Sequence, residues 1–116
     1  MSNQEMDYLT LKGEDMKIVM KEEKYVVTEY GIYLLHYELL EFPCEEERIG
    51  NCYGILIQQR KEEREELFDE CQVEGVTENL GQAMRLFIQM VKGLVMPATL
   101  PDIVDDWITE KEFSVR

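Results

Sequence analysis

The side chains able to do chemistry in this chain are few and scattered. There is one histidine, His36, and there are three cysteines, Cys44, Cys52 and Cys71. Asp102, Asp105 and Asp106 form the tightest acidic cluster, near the C-terminal end. His36 beside a cysteine would be a general base next to a nucleophile, since a thiol attacks well only after its proton has somewhere to go. The same four residues carry the nitrogen and sulfur donors that zinc takes. Their spacing contains no Cys-x-x-Cys pair to tie them to one ion, and the plain reading is three small thiols and a strand histidine. The aspartates would suit a hard cation, which gathers several oxygens around one point. No glycine-rich calcium loop surrounds them, and on a helix they form the solvated side opposite Ile103 and Trp107. The residues therefore predict no catalytic, metal or cofactor site. The alternative is a small metal-dependent or cysteine-based hydrolase, using His36 with Cys44, Cys52 or Cys71, or the Asp102/Asp105/Asp106 cluster.

Composition narrows the partners. The net charge is −13, from 25 acids against 12 bases, in 116 residues. Such a chain is a poor match for nucleic acid, whose binding depends on neutralised phosphates, and for anionic membrane surfaces. A protein partner or self-association fits better. The start, Met1-Ser-Asn-Gln-Glu-Met-Asp, has no basic segment followed by an apolar run, and no apolar run reaches membrane-spanning length. An odd cysteine count without an export signal predicts a cytoplasmic chain with no intrachain disulfide. Gly75, Gly81 and Gly93 do not fit a phosphate-cradling fingerprint.

The elements that must position these groups follow from periodicity. Residues 1–15 are polar and read as a frayed end, residues 16–108 as a single domain, and residues 109–116 as a second frayed end. Met16 to Met20 and Tyr25 to Thr28 read as short strands around a charged Lys21-Glu-Glu-Lys turn. Ile32 to Phe42 alternates with period two and reads as a long strand ended by Pro43. Cys44 to Asn51 is an acidic loop, and Cys52 to Arg60 a further strand with a bulge or close approach at Gly54. Glu65 to Val73 returns as a strand, with a helix over 61–72 as its rival. The acidic runs at Glu45-Glu-Glu and Glu62 to Glu70 read as solvated loops and edges, or as a docking surface for a basic protein.

Two helices close the chain. In the first, Leu80, Ala83, Met84, Phe87, Ile88 and Val91 share one face; Asn79 caps the start with Gln82 as its reciprocal partner, and Gly93 supplies a left-handed end. In the second, Thr99 is the cap and Pro101 lies in the first turn; Leu100, Ile103, Val104, Trp107 and Ile108 share the buried face. The fold class is α+β, an antiparallel meander of three to five strands with the C-terminal pair of helices packed on one face.

Tyr53-Gly54-Ile55 on a strand, an acidic hairpin, a helix, then Val95-Met96-Pro97 and the run Leu100 to Ile108 resemble a family of small uncharacterised bacterial proteins. That family is a domain of unknown function typical of anaerobic spore-formers. The resemblance covers residues 32–108 and implies a cytoplasmic bacterial protein. It brings no activity, cofactor or catalytic residue with it.

The first helix has one surplus. Leu86 and Met90 lie together beside the core stripe, widening its apolar arc beyond half the circumference. They are the candidate interaction surface, to be covered by a second copy or another protein unless the last helix or the N-terminal segment covers them.

Overall fold

In the computed structural model, residues 16–44, 50–62 and 67–114 are described, with side chains described through residue 110. Four strands form one antiparallel sheet in sequence order: β1 (Lys17–Thr28), β2 (Gly31–Pro43), β3 (Asn51–Lys61) and β4 (Leu67–Thr77). Two helices follow, α1 (Leu80–Lys92) and α2 (Leu100–Ser114), joined through a 3₁₀ turn at Pro97–Thr99. The α+β meander with a C-terminal helical pair is thus the observed architecture.

The charged stretch Lys21-Glu-Glu-Lys24 is not a turn. It lies in the middle of β1, which runs unbroken from Lys17 to Thr28. Its pairing with β2 places Lys21 opposite Glu38 and Glu23 opposite His36. Cross-strand partners of this kind stabilise a strand whose composition alone reads as loop. The reversal comes later, at Glu29-Tyr30, where Thr28 Oγ1 donates to the Gly31 carbonyl and accepts from the Tyr30 N–H, both at 3.0 Å. Gly31 has φ +128°, a backbone region that favours glycine.

Alternation along β2 and β3 builds the core. Leu35, Tyr37, Leu39, Ile55 and Ile57 point to the face under the helices and are buried. Tyr37 is fully buried, and its hydroxyl donates to the Val95 carbonyl at 3.0 Å. Burial pushes its phenol up to about 12. At Gly54 the bulge expected from the sequence is present. Tyr53 pairs with Thr77 while Ile55 pairs with Val73, so residues 74–76 loop out opposite one glycine. A Cβ on Gly54 would lie 2.5 Å from the Val73 carbonyl oxygen. The segment from Leu67 onward is strand β4, not helix; residues 63–66 and 45–47 of the acidic runs, and the N-terminal residues 1–15, lie outside the described residues.

The core face of α1 differs from the expected one. Ala83, Leu86, Phe87, Met90 and Val91 are buried, Met84 is half-buried, and Leu80 and Ile88 are exposed. At 100° per residue the buried stripe is turned by roughly 60° toward Leu86. The reason is placement: α1 packs on β2, β3 and β4, so the flank carrying Ile88 overhangs toward β1.

Both helix ends also differ in detail. Asn79 Oδ1 accepts from the Gln82 N–H at 2.9 Å, as expected of a cap. The return partner is Thr77, whose hydroxyl accepts from the Asn79 N–H and donates to Gln82 Oε1. The left-handed residue at the far end is Leu94, φ +54°, while Gly93 is right-handed at φ −83°. The Leu94 N–H donates to Val91 O and the Val95 N–H to Met90 O, each at 3.1 Å. These are the paired bonds of a Schellman ending. Thr99 does not cap α2 through its side chain: its hydroxyl donates to the Met96 carbonyl, and the turn starts earlier with Pro97 in its first position. Trp107 is half-buried against the core rather than fully buried, and α2 spans Leu100–Ser114.

Candidate functional site

The strands decide which reactive groups meet. His36 lies in mid-β2, and its partner across β3 is Gln58. Cys71 faces the other side of the sheet, against the core, opposite Ile57. Cys44 follows the end of β2, and at about 3.3 Å per extended residue it lies roughly 26 Å along the chain from His36. The histidine therefore has none of the three cysteines beside it, and the four do not form one ligand set. Asp102, Asp105 and Asp106 are exposed on α2, away from the core, as a solvated helix face would be.

His36 has a different setting. Its Nδ1 lies 3.0 Å from Glu23 Oε2 and its Nε2 lies 2.8 Å from Glu38 Oε2. Glu38 and His36 share a face because they are two apart on a strand, and Glu23 reaches them from the neighbouring strand β1. The carboxylates orient the ring from both sides on the face that no described helix covers. Period two in the sequence shows the Glu38 half of this arrangement; the Glu23 half requires the β1 register.

A second cluster forms where the β2–β3 hairpin meets the start of α1. Cys44 Sγ and Cys52 Sγ lie 2.6 Å apart. These sulfurs and a carboxylate oxygen of Glu78 all lie within 4.8 Å of one another. The hairpin register explains the pair: Phe42 pairs with Cys52, and the Cys44 N–H donates to the Gly50 carbonyl at 3.0 Å. Glu78 comes from the two-residue link between β4 and α1. Burial raises the Tyr53 phenol above its ordinary value, and Glu41, Cys44 and Cys52 raise it further. A cleft of about 530 Å³ beside the cluster is lined by Cys52, Thr77, Glu78, Asn79 and Gln82, among others. Two soft donors and one hard donor at one corner can serve two-electron sulfur chemistry or a thiophilic metal. The sequence carried a signal for the pair: an acidic loop from 44 to 51 must bring its two ends together. Glu78 carried none.

Leu86 and Met90, the candidate interaction surface, are 2% and 1% exposed. They are core, and in this fold they offer no surface.

The model of a family of unknown function, DUF6514, matches residues 16–110. The chain belongs to that family. The match takes in β1, which lies outside the stretch on which the sequence resemblance rests, and it extends into α2. Neither the curated proteins nor the solved structures give a significant match. No helix among the described residues is long and apolar enough to cross a membrane.

Proposed function

We propose that the chain is a non-enzymatic protein-binding or regulatory module of the bacterial cytoplasm, and that its partner docks on the open face of the sheet. The observation that carries this reading is an apolar patch next to the β1–β2 turn. Tyr25, Val27 and Ile32 are 64%, 78% and 40% exposed, and they adjoin one another because Tyr25 pairs with Leu34 and Val27 with Ile32. A contiguous exposed apolar patch is a feature of interaction sites, whereas scattered apolar residues are not. A groove of about 380 Å³ beside it is lined by Tyr25, Leu34, Arg60, Lys61 and Glu62. Arg60 and Lys61 stand out in a chain of net charge −13, and they favour a partner segment that combines apolar side chains with acceptor or acidic groups. The overall charge argues against nucleic acid as that partner.

The test compares wild type with a Tyr25→Ser/Val27→Asp variant as bait in a bacterial lysate, with sedimentation at several concentrations to detect self-association. The variant should keep its far-UV circular dichroism and melting curve and lose the protein that wild type retains. Equal recovery by both would overturn the open-face reading.

A further inference from the structure

We propose that Cys44 and Cys52 are a reactive dithiol that closes to an intramolecular disulfide by exchange with a low-molecular-weight disulfide such as oxidised glutathione. The pair lies at the end of the β2–β3 hairpin, away from the patch proposed for docking, so it stands apart from that reading. Its argument begins with the register. With Phe42 opposite Cys52 and Cys44 bonded to Gly50, the cysteines are diagonal neighbours across the hairpin, which fixes their separation through the backbone.

The distance then separates the two chemistries open to such a pair. A disulfide needs its sulfurs about 2.05 Å apart. Two thiolates on one tetrahedral zinc, each about 2.3 Å from the metal, stand roughly 3.8 Å apart. From 2.6 Å the first demands a small closure and the second an opening of more than about 1 Å. Glu78 sits where a third ligand would, but it is exposed and belongs to a short link between elements.

Access favours Cys52 as the first nucleophile, because it lines the cleft of about 530 Å³. Its thiolate attacks one sulfur of the small disulfide; that S–S bond breaks and a thiol leaves with a proton. Cys44 then attacks Cys52 Sγ, forming the protein disulfide and releasing the second small thiol. Two electrons pass from the protein sulfurs to the co-reactant, and two protons end on the released thiols. Cys71 stays outside the exchange. It lies across the sheet against the core, and burial, with Asp69 adding to it, raises its thiol above the ordinary value.

The full chain would be equilibrated over a range of oxidised to reduced glutathione, quenched in acid, alkylated under denaturing conditions and weighed. At the oxidising end the protein should be lighter by two hydrogens before alkylation. It should keep one alkylatable thiol, Cys71, and give a peptide linking Cys44 to Cys52. Closing so short a loop should raise the melting midpoint by roughly 5–10 °C. Cys71→Ser should form the same link; Cys44→Ser should instead hold a glutathione adduct at Cys52. Three alkylatable thiols at the most oxidising poise, adducts without a link in wild type, or a link through Cys71 would each overturn the proposal. So would stoichiometric zinc that survives gel filtration and is lost on Glu78→Gln.

Discussion

The two faces of the sheet carry the same strands and behave differently. Under the helices, Leu35, Tyr37 and Leu39 alternate into a packed core with Phe87, Met90 and Leu100. On the open face, Leu34, His36 and Glu38 are only half-buried, and the patch at Tyr25 and Val27 is exposed. Residue type does not separate the faces cleanly, since both hold leucine and tyrosine. The helices account for one face only: on the other, Leu40 and Leu56 are 0% and 9% exposed, while the end that carries Tyr25, Val27 and Ile32 is open. Stability should therefore sit at the buried positions, above all under the helices, and tolerance to change at the exposed end of the open face next to the β1–β2 turn.

The largest effect should come from Phe87, 1% exposed on the covered side. Phe87→Ala should cost about 3–5 kcal/mol, read as a lower urea midpoint. A loss below about 1 kcal/mol, within the range of surface changes, would mean that α1 is not the cover. Next is Gly54, where an added methyl meets the Val73 carbonyl. Gly54→Ala should destabilise by about 1–3 kcal/mol, the usual scale of overpacking; an unchanged midpoint would show that the bulge yields freely. Leu94→Gly should act in the opposite direction, stabilising by about 1 kcal/mol, because a left-handed leucine carries a steric cost that glycine does not. Val27→Asp should change stability least, by no more than about 0.5 kcal/mol, as expected of an exposed site. A large loss there would erase the contrast between the faces.

Much of this division is legible in the sequence, and the misreadings have physical causes. β2 and β3 announce themselves because each is a long run rich in aliphatic and aromatic residues with a proline or charged stretch at its end. The Lys21-Glu-Glu-Lys stretch does not, since a charged edge strand is stabilised by partners on the next strand, Glu38 and His36, which local composition cannot display. The face of α1 was ambiguous because its apolar arc holds two overlapping stripes, both with helical spacing. Ala83, Phe87 and Val91 belong to both; only the position of the sheet chooses Leu86 and Met90 over Leu80 and Ile88. At the helix end, glycine marked the right place but the wrong residue: the left-handed turn falls on Leu94, held by the bonds to Val91 and Met90. The candidate site divides in the same way. His36 was visible as a residue, whereas its carboxylate partners and the Cys44–Cys52 contact depend on strand register.

The strand order β1-β2-β3-β4 has a kinetic consequence. Among the described residues, every strand is paired with a neighbour in sequence, so the described sheet contains no crossover and each closure spans one short connection. Loop-closure entropy grows with the logarithm of loop length, about 0.6 kcal/mol per doubling, so each hairpin meets a low entropic barrier. The sheet can grow strand by strand, and the helices, last in the chain, can settle on a surface already in place. That low contact order puts the rate of folding toward the fast end for a protein so rich in strand.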